Sequence, residues 1–383
     1  MSNRKFLKIV FGFLSFIILF VVGVNYIVDP YNLYGTNFYQ NKPKMYENMR
    51  LIKSLLVEKV KPESIVLGTS RAEIAIDSEH EYFIKPSYNL ANSGSTMYET
   101  KFYLKKAINQ GNLKKVLLIA DWRMFNDTNM KKVADFETYF NNINMYSYLL
   151  NYKVLQDSFF TIKNQEIKSV YKNNGQMKEE YLINSISSKG GHYKTMIKKE
   201  KNYYKELSND NLYKDTKKDS FIDFKEILEM CYDNNIELDI VFGPSHIRQW
   251  EAFDYYKGYE SLLKWKKDIV LFVEKIAFEE NKIPFRVMDF AVYHEFTSEV
   301  IPKNPDERMK FHFEGSHYTN KLGLIVLDRL IDKSPYSDFG VVINSSNIDI
   351  HLENLRNDRI KFINTKEYRK EVFKKEKINK KSN

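Results

Sequence analysis

Ser64-Ile65-Val66-Leu67-Gly68-Thr69-Ser70-Arg71 reads as a short buried strand that stops at a glycine and delivers a serine to its carboxyl end. Four further runs have the same character: Tyr88–Ala91, Val116–Ala120, Leu238–Phe242 and Phe285–Met288. Each is short, β-branched or aromatic, and closes near Gly, Pro, Asn or Asp. Helical patterns lie between them, over Met97–Asn109, Phe221–Asn234 and Tyr259–Asn281. Strands alternating with helices predict an α/β fold, a three-layer αβα sandwich around a mostly parallel five-stranded sheet. In such sheets ligand sites gather at the carboxyl ends of the strands.

Outward from this core, residues 29–60 connect it to the N-terminus and residues 61–332 form the main domain. Residues 126–219 break the rhythm, being rich in Tyr, Asn and Lys, with helical fragments over Phe136–Leu155 and a loose turn over Ser187–His192. They read as a helical insertion packed beside the sheet and over the site. Residues 333–383 read as a short adjunct with a Lys-rich tail, Lys366–Lys381. At the other end, residues 1–8 carry Arg4, Lys5 and Lys8, followed by an apolar run over 9–28. Twenty helical residues rise about 30 Å, the thickness of a hydrocarbon core. No small-x-small cleavage site follows, so the run predicts an uncleaved single-pass anchor. The basic flank places the N-terminus in the cytoplasm and the main domain outside it, at the cell membrane.

Composition sets outer limits. The 383 residues include 59 basic and 50 acidic ones, so the net charge of +9 is a mild excess on a mixed surface rather than a nucleic-acid footprint. The single cysteine, Cys231, excludes a disulfide framework and any Cys-rich metal site.

The chemistry is sought at the strand ends. Ser70, after Gly68, can present both its hydroxyl and its own N–H to one substrate atom. In Glu314-Gly315-Ser316-His317 a carboxylate three residues before an imidazole can fix the tautomer and stabilise the cation formed on proton uptake. A capped helix follows it, over residues 319–330. Of the seven histidines, His80, His192, His294, His312 and His351 lack a strand end or a matching acid. His317 is the candidate base, with His246, after the fourth strand, a candidate for substrate binding or a turn residue. The Gly94 N–H, after the second strand, can join that of Ser70 in an oxyanion hole, and Asp121 ends the third strand. No cluster of His and carboxylates completes a metal site, and no cofactor is called for. Trp122, Trp250 and Trp265 are read either as sugar-stacking surfaces or as core.

These residues, in this order, resemble the SGNH (GDSL-like) hydrolase superfamily, and within it the membrane-anchored bacterial branch related to alginate O-acetyltransferase and the teichoic acid D-alanylation proteins. The resemblance runs from about Pro62 to Leu330, with a poor match in the insertion. Gly68-Thr69-Ser70 corresponds to the nucleophile block, Gly94 to the second-block glycine, and Glu314–His317 to the last-block Asp-x-x-His, with Glu for Asp. The third-block Asn is replaced by Asp121, which cannot donate a hydrogen bond when ionised; Arg71, Asn92 or backbone groups are the available substitutes, and Asn126 lies too far along.

The resemblance implies acyl transfer through an acyl-Ser70 intermediate, with Ser70, His317 and Glu314 as triad and Ser70 and Gly94 as oxyanion donors. An outward-facing domain has no access to cytoplasmic acetyl-CoA. An O-acetyltransferase acting on a cell-envelope or secreted polysaccharide, or a teichoic polymer, would therefore take its acyl group from a multi-pass membrane acyltransferase partner. Water as acceptor gives instead a carbohydrate esterase or deacetylase, and a non-catalytic polymer-binding or scaffold member is the third expectation.

Overall fold

The computed structural model describes residues 2–141, 144–202 and 210–364; the Lys-rich stretch Lys366–Lys381 lies outside them. Strands β1 (Ser64–Gly68), β2 (Ser87–Asn89), β3 (Lys115–Ala120), β4 (Glu237–Phe242), β5 (Arg286–Asp289) and β6 (Val341–Ile343) form one sheet in the order β2-β1-β3-β4-β5-β6. All neighbours are parallel except β5 and β6. The helices are α1 (Asn3–Val28), α2 (Met45–Val60), α3 (Ser70–Ala75), α4 (Met97–Ile108), α5 (Tyr152–Lys163), α6 (Glu179–Ser188), α7 (Gly191–Asn202), α8 (Ser220–Asp233), α9 (Ile247–Lys257), α10 (Tyr259–Glu279), α11 (Asn320–Leu330) and α12 (Ile348–Ile363).

The sheet thus has six strands where the sequence pattern predicts five. The additional strand comes from the stretch read as an adjunct, because a three-residue edge strand after Gly340 is too short to show a period. The interior strands β1, β3 and β4 are buried almost end to end, which explains their continuous apolar runs. Their register aligns Gly68 with Ile119, Ala120 with Phe242, and Phe242 with Asp289. The loops carrying Ser70, Asp121 and Gly243–His246 therefore leave a common edge.

Two glycines make this edge possible. Gly68 has φ +144°, and a Cβ there would lie 2.8 Å from the Ile119 carbonyl, so β1 passes β3 and turns into α3 only without a side chain. Gly323 sits where α11 crosses the end of α3: a Cβ would lie 2.0 Å from the Ala75 carbonyl. Asn320 Nδ2 donates to that same carbonyl at 3.0 Å, and Thr319 caps α11. This approach carries the segment just before α11 toward the start of α3.

Helix α1 is long and apolar enough to cross a membrane. It ends at Asp29, in the left-handed conformation, whose buried carboxylate accepts from the backbone N–H groups of Leu33 (2.7 Å), Tyr34 (3.0 Å), Gly35 (2.8 Å) and Thr36 (3.3 Å). Lys42 Nζ donates to the last helical carbonyl, Val28, at 2.6 Å. In the insertion, asparagines divide the expected fragment over Phe136–Leu155. Two short 3₁₀ turns (Phe136–Phe140 and Met145–Tyr148) precede α5, and Asn144 and Asn151 cap the second turn and α5.

Replacing Gly323 with Ala is expected to cost about 1–3 kcal/mol through overpacking against α3, read as a lower urea midpoint of the detergent-solubilised chain. Ala at Leu324, an exposed neighbour, should leave the midpoint nearly unchanged.

Candidate functional site

Ser70 is the first residue of α3, with Thr69 as its N-cap, and its side chain is partly exposed. Its Oγ lies 2.7 Å from His317 Nε2, although 247 residues separate them. The other ring nitrogen, Nδ1, contacts Glu314 Oε1 at close range.

The Glu314–His317 segment is the tip of a narrow hairpin. Phe313 N donates to the His317 carbonyl at 2.8 Å, Thr319 N donates to the Phe311 carbonyl at 2.9 Å, and His312 and Tyr318 form an antiparallel bridge. Three elements pin it. His246 N donates to the Gly315 carbonyl at 3.1 Å, and the His192 ring, at the start of α7, bonds the Phe313 carbonyl at 2.9 Å. Glu299 accepts from Lys310 N (2.8 Å), Phe311 N (2.9 Å) and the His312 ring (3.1 Å).

Glu314 is buried and accepts from Ser316 Oγ (2.8 Å), Ser316 N (3.2 Å) and His317 N (3.2 Å) besides the imidazole. Burial works to raise its carboxyl. The His317 ring, the Lys199 ammonium of α7, and the bonds from His317 and Ser316 outweigh that, holding it well below the usual carboxylate range. An ionised Glu314 accepts a hydrogen bond from the Nδ1–H, so Nε2 presents its lone pair to the Ser70 hydroxyl. This arrangement can draw a proton from Ser70 and hold the resulting imidazolium.

The remaining residues singled out in the sequence fall into two groups. Arg71 and Asp121 join the site from beneath. The Arg71 Nε lies 3.3 Å from Asp121 Oδ2, and its Nη2 donates to Gln249 Oε1 at 2.5 Å. Asp121 also accepts from Thr69 Oγ1 (3.2 Å) and Arg123 N (3.0 Å). Its oxygens are thus committed to holding Arg71 and the Ser70 turn, and they offer no oxyanion donor. Gly94, at φ +67°, lies in a turn closed by Ser95 N donating to the Asn92 carbonyl at 3.0 Å. Among the described residues, neither the Ser70 nor the Gly94 N–H has an acceptor.

Asn92 and His246 are both buried and engaged by the protein's own backbone. Asn92 is 2% exposed and donates from Nδ2 to the Leu90 carbonyl at 2.8 Å. His246 caps α9, accepting from Arg248 N at Nδ1 (3.2 Å), and its Nε2 bonds the Glu299 carbonyl (2.9 Å). Burial, with His312 beside it, drives its pKa down to about 3, so it stays a neutral structural residue. Trp122 and Trp250 are buried, Trp122 edge-on to Phe253 and Trp250 bonded through Nε1 to Ser245 Oγ at 2.8 Å, and Trp265 packs against Phe242. They are core, not a sugar platform.

Several partners escape a sequence reading. Glu73 bonds Lys53 (3.2 Å), Tyr171 Oη (2.8 Å) and Ser93 Oγ (2.6 Å), while Arg50 Nη2 donates to the Ser93 carbonyl (2.7 Å). This ionic network fixes the Gly94 turn to α2 and α3. Beside it opens a cleft of about 270 Å³, lined in part by Tyr46, Arg50, Asn92 and Tyr139. Ser316 lies inside the motif and is legible there; Lys53, His192, Lys199 and Glu299 carry no local signal. Among the described residues one group, His80, Glu81 and Asp328, is close enough to share a cation. However, His80 Nδ1 accepts from Tyr82 N, so Nε2 is the protonated nitrogen facing Asp328, and Glu81 pairs with Lys333.

Two outcomes follow from these pairings. Asp121→Asn, which restores the resembled family's Asn, is expected to destabilise by about 1–3 kcal/mol, because buried Arg71 keeps an acceptor but loses its counter-charge; chemical denaturation reads this. Glu314, with its carboxyl lowered on folding, adds stability that is complete above the ordinary glutamate range, about pH 4.3, and is lost as pH falls toward the folded value. The gap in unfolding free energy between the native chain and Glu314→Gln should therefore shrink as pH falls below about 4. No family model matches the chain, and no curated protein matches it.

Proposed function

We propose that this chain is a serine acyl-transfer enzyme of SGNH type: an O-acetyltransferase that works outside the cytoplasm on a cell-envelope or secreted polysaccharide. One observation carries the reading. A partly exposed serine hydroxyl stands 2.7 Å from the free nitrogen of an imidazole whose other nitrogen meets a buried carboxylate held in its ionised form. The sheet and its helices are read as the family's three-layer αβα sandwich.

In this mechanism His317 Nε2 takes the Ser70 proton as Oγ bonds to the carbonyl carbon of an acyl ester. The carbonyl electron pair moves onto oxygen, where the Ser70 and Gly94 N–H groups receive it. The tetrahedral adduct then expels the donor's alkoxide, which takes the proton back from Nε2 and leaves acyl-Ser70. A sugar hydroxyl, deprotonated by His317, attacks the acyl carbon, and Ser70 departs with its proton restored. If water takes the place of the sugar, the product is a free acid and the protein is an esterase. Transfer is favoured on the reading of helix α1 as an anchor with its basic flank inside, which would bring Ser70 within reach of a multi-pass membrane acyltransferase that supplies the acyl group.

The non-catalytic alternative draws on Asp121, since its pairing with Arg71 leaves only backbone donors for the oxyanion. A fluorophosphonate probe decides between them: the native chain should label, Ser70→Ala should not, and Ser261→Ala should label normally. An unlabelled but folded native chain would favour the scaffold. With an activated acetyl ester as donor, Glu314→Gln is expected to lower turnover by roughly 10³–10⁴-fold. Adding an oligosaccharide acceptor and analysing products then separates acetylated sugar from free acetate.

A further inference from the structure

Helix α5 is built inside out. Its buried face carries Asp157, Ser158 and Thr161, together with Val154. Tyr31 Oη donates to Asp157 Oδ2 at 2.6 Å, and Ser158 Oγ donates to Asn25 Oδ1 at 3.1 Å. The outward side carries the large apolar residues: Tyr152 is 74%, Phe159 44% and Ile162 37% exposed. These three recur at a spacing of seven and three residues, one stripe of the helix. Tyr146 and Leu150, in the turn just before it, are 68% and 58% exposed.

The position of this stripe identifies its occupant. α5 packs on α1, whose residues Asn25 and Val28 are the buried ones. Asn25, a polar residue within the apolar run, is completely buried and donates to the Leu149 and Asn151 carbonyls at 2.9 and 3.2 Å. If the run over 9–28 fills a hydrocarbon core of about 30 Å, this contact lies at its outer end, the depth of the acyl–headgroup boundary. Tyr26 and Ile27, in the last turn of α1, are half exposed as well. Lys153 and Lys163 flank the stripe and are exposed, the arrangement of a helix lying in a membrane interface.

We propose that α5 and the turn before it lie in the outer surface of the bilayer that α1 crosses, with Tyr152, Phe159 and Ile162 among the lipids. The inference rests on α1 being a membrane span. It makes the insertion a second attachment: α5 meets lipid, while α7 of the same insertion braces the hairpin that carries His317.

The test uses the full chain in nanodiscs of phosphatidylcholine and phosphatidylglycerol, with an environment-sensitive fluorophore on a cysteine introduced at Phe13, Phe159 or Phe278. Native Cys231 is buried and resists labelling. Phe278 is 87% exposed on α10, which packs on α8, α9 and α12 rather than on α5. Quencher lipids labelled high on the acyl chain should quench Phe159→Cys at least about two-fold more than Phe278→Cys, the signature of shallow burial. Lipids labelled deep in the chain should quench Phe13→Cys. Equal quenching at Phe159 and Phe278 with Phe13 quenched would overturn this inference alone and point to a protein partner on the stripe. An unquenched Phe13 would remove the membrane span and this proposal with it.

Discussion

An ionised carboxylate taken out of water is costly unless donors replace its hydration, and Glu314 meets that condition with four: the His317 imidazole, the His317 and Ser316 amides and the Ser316 hydroxyl. Satisfying it bends residues 314–317 into a tight tip, and the tip in turn aims Nε2 at Ser70. The rest of the molecule is arranged to keep this tip still. The β4 loop, the start of α7 and Glu299 hold its flanks, and the Gly323–Ala75 approach sets its distance from α3. Convergence across 247 residues thus depends on one buried charge being surrounded.

Much of this was legible in the sequence because it is local. The buried strands announce themselves as uninterrupted apolar runs, and Gly68, Ser70, Glu314 and His317 are adjacent to strand or helix boundaries that residue type alone marks. What was not legible depends on distant partners. Val341–Ile343 is too short to show alternation, and it becomes a strand only because β5 has a free edge. His246 follows a strand just as a ligand-binding residue would, yet its ring is absorbed by Arg248 N and the Glu299 carbonyl. Asp121 stands where an oxyanion donor is expected, and its meaning changes once Arg71 is seen beside it. Tryptophan exposure, likewise, is a property of packing and not of composition.

The insertion shows the same limit in larger form. Its helix α5 turns polar groups inward, to Asn25 and Tyr31, and Tyr152, Phe159 and Ile162 outward, while Phe136, Tyr171 and Tyr213 elsewhere in the insertion are buried. A sequence scale that assigns polar to outside and apolar to inside inverts such a segment. The ionic network of Lys53, Glu73 and Arg50 behaves in the same way, placing charges under the Gly94 turn where a core is expected.

The cap at Asp29 has a mechanical meaning. Four amides converging on one carboxylate, with Lys42 donating to the last helical carbonyl, tie the end of the apolar helix to the chain that follows it. A glycine-rich leash would let the domain sweep a hemisphere; this joint makes it a post. Were α1 to cross a membrane, Ser70 would stand at one fixed height and orientation, free only to drift sideways and spin, so whatever meets it must arrive at that level.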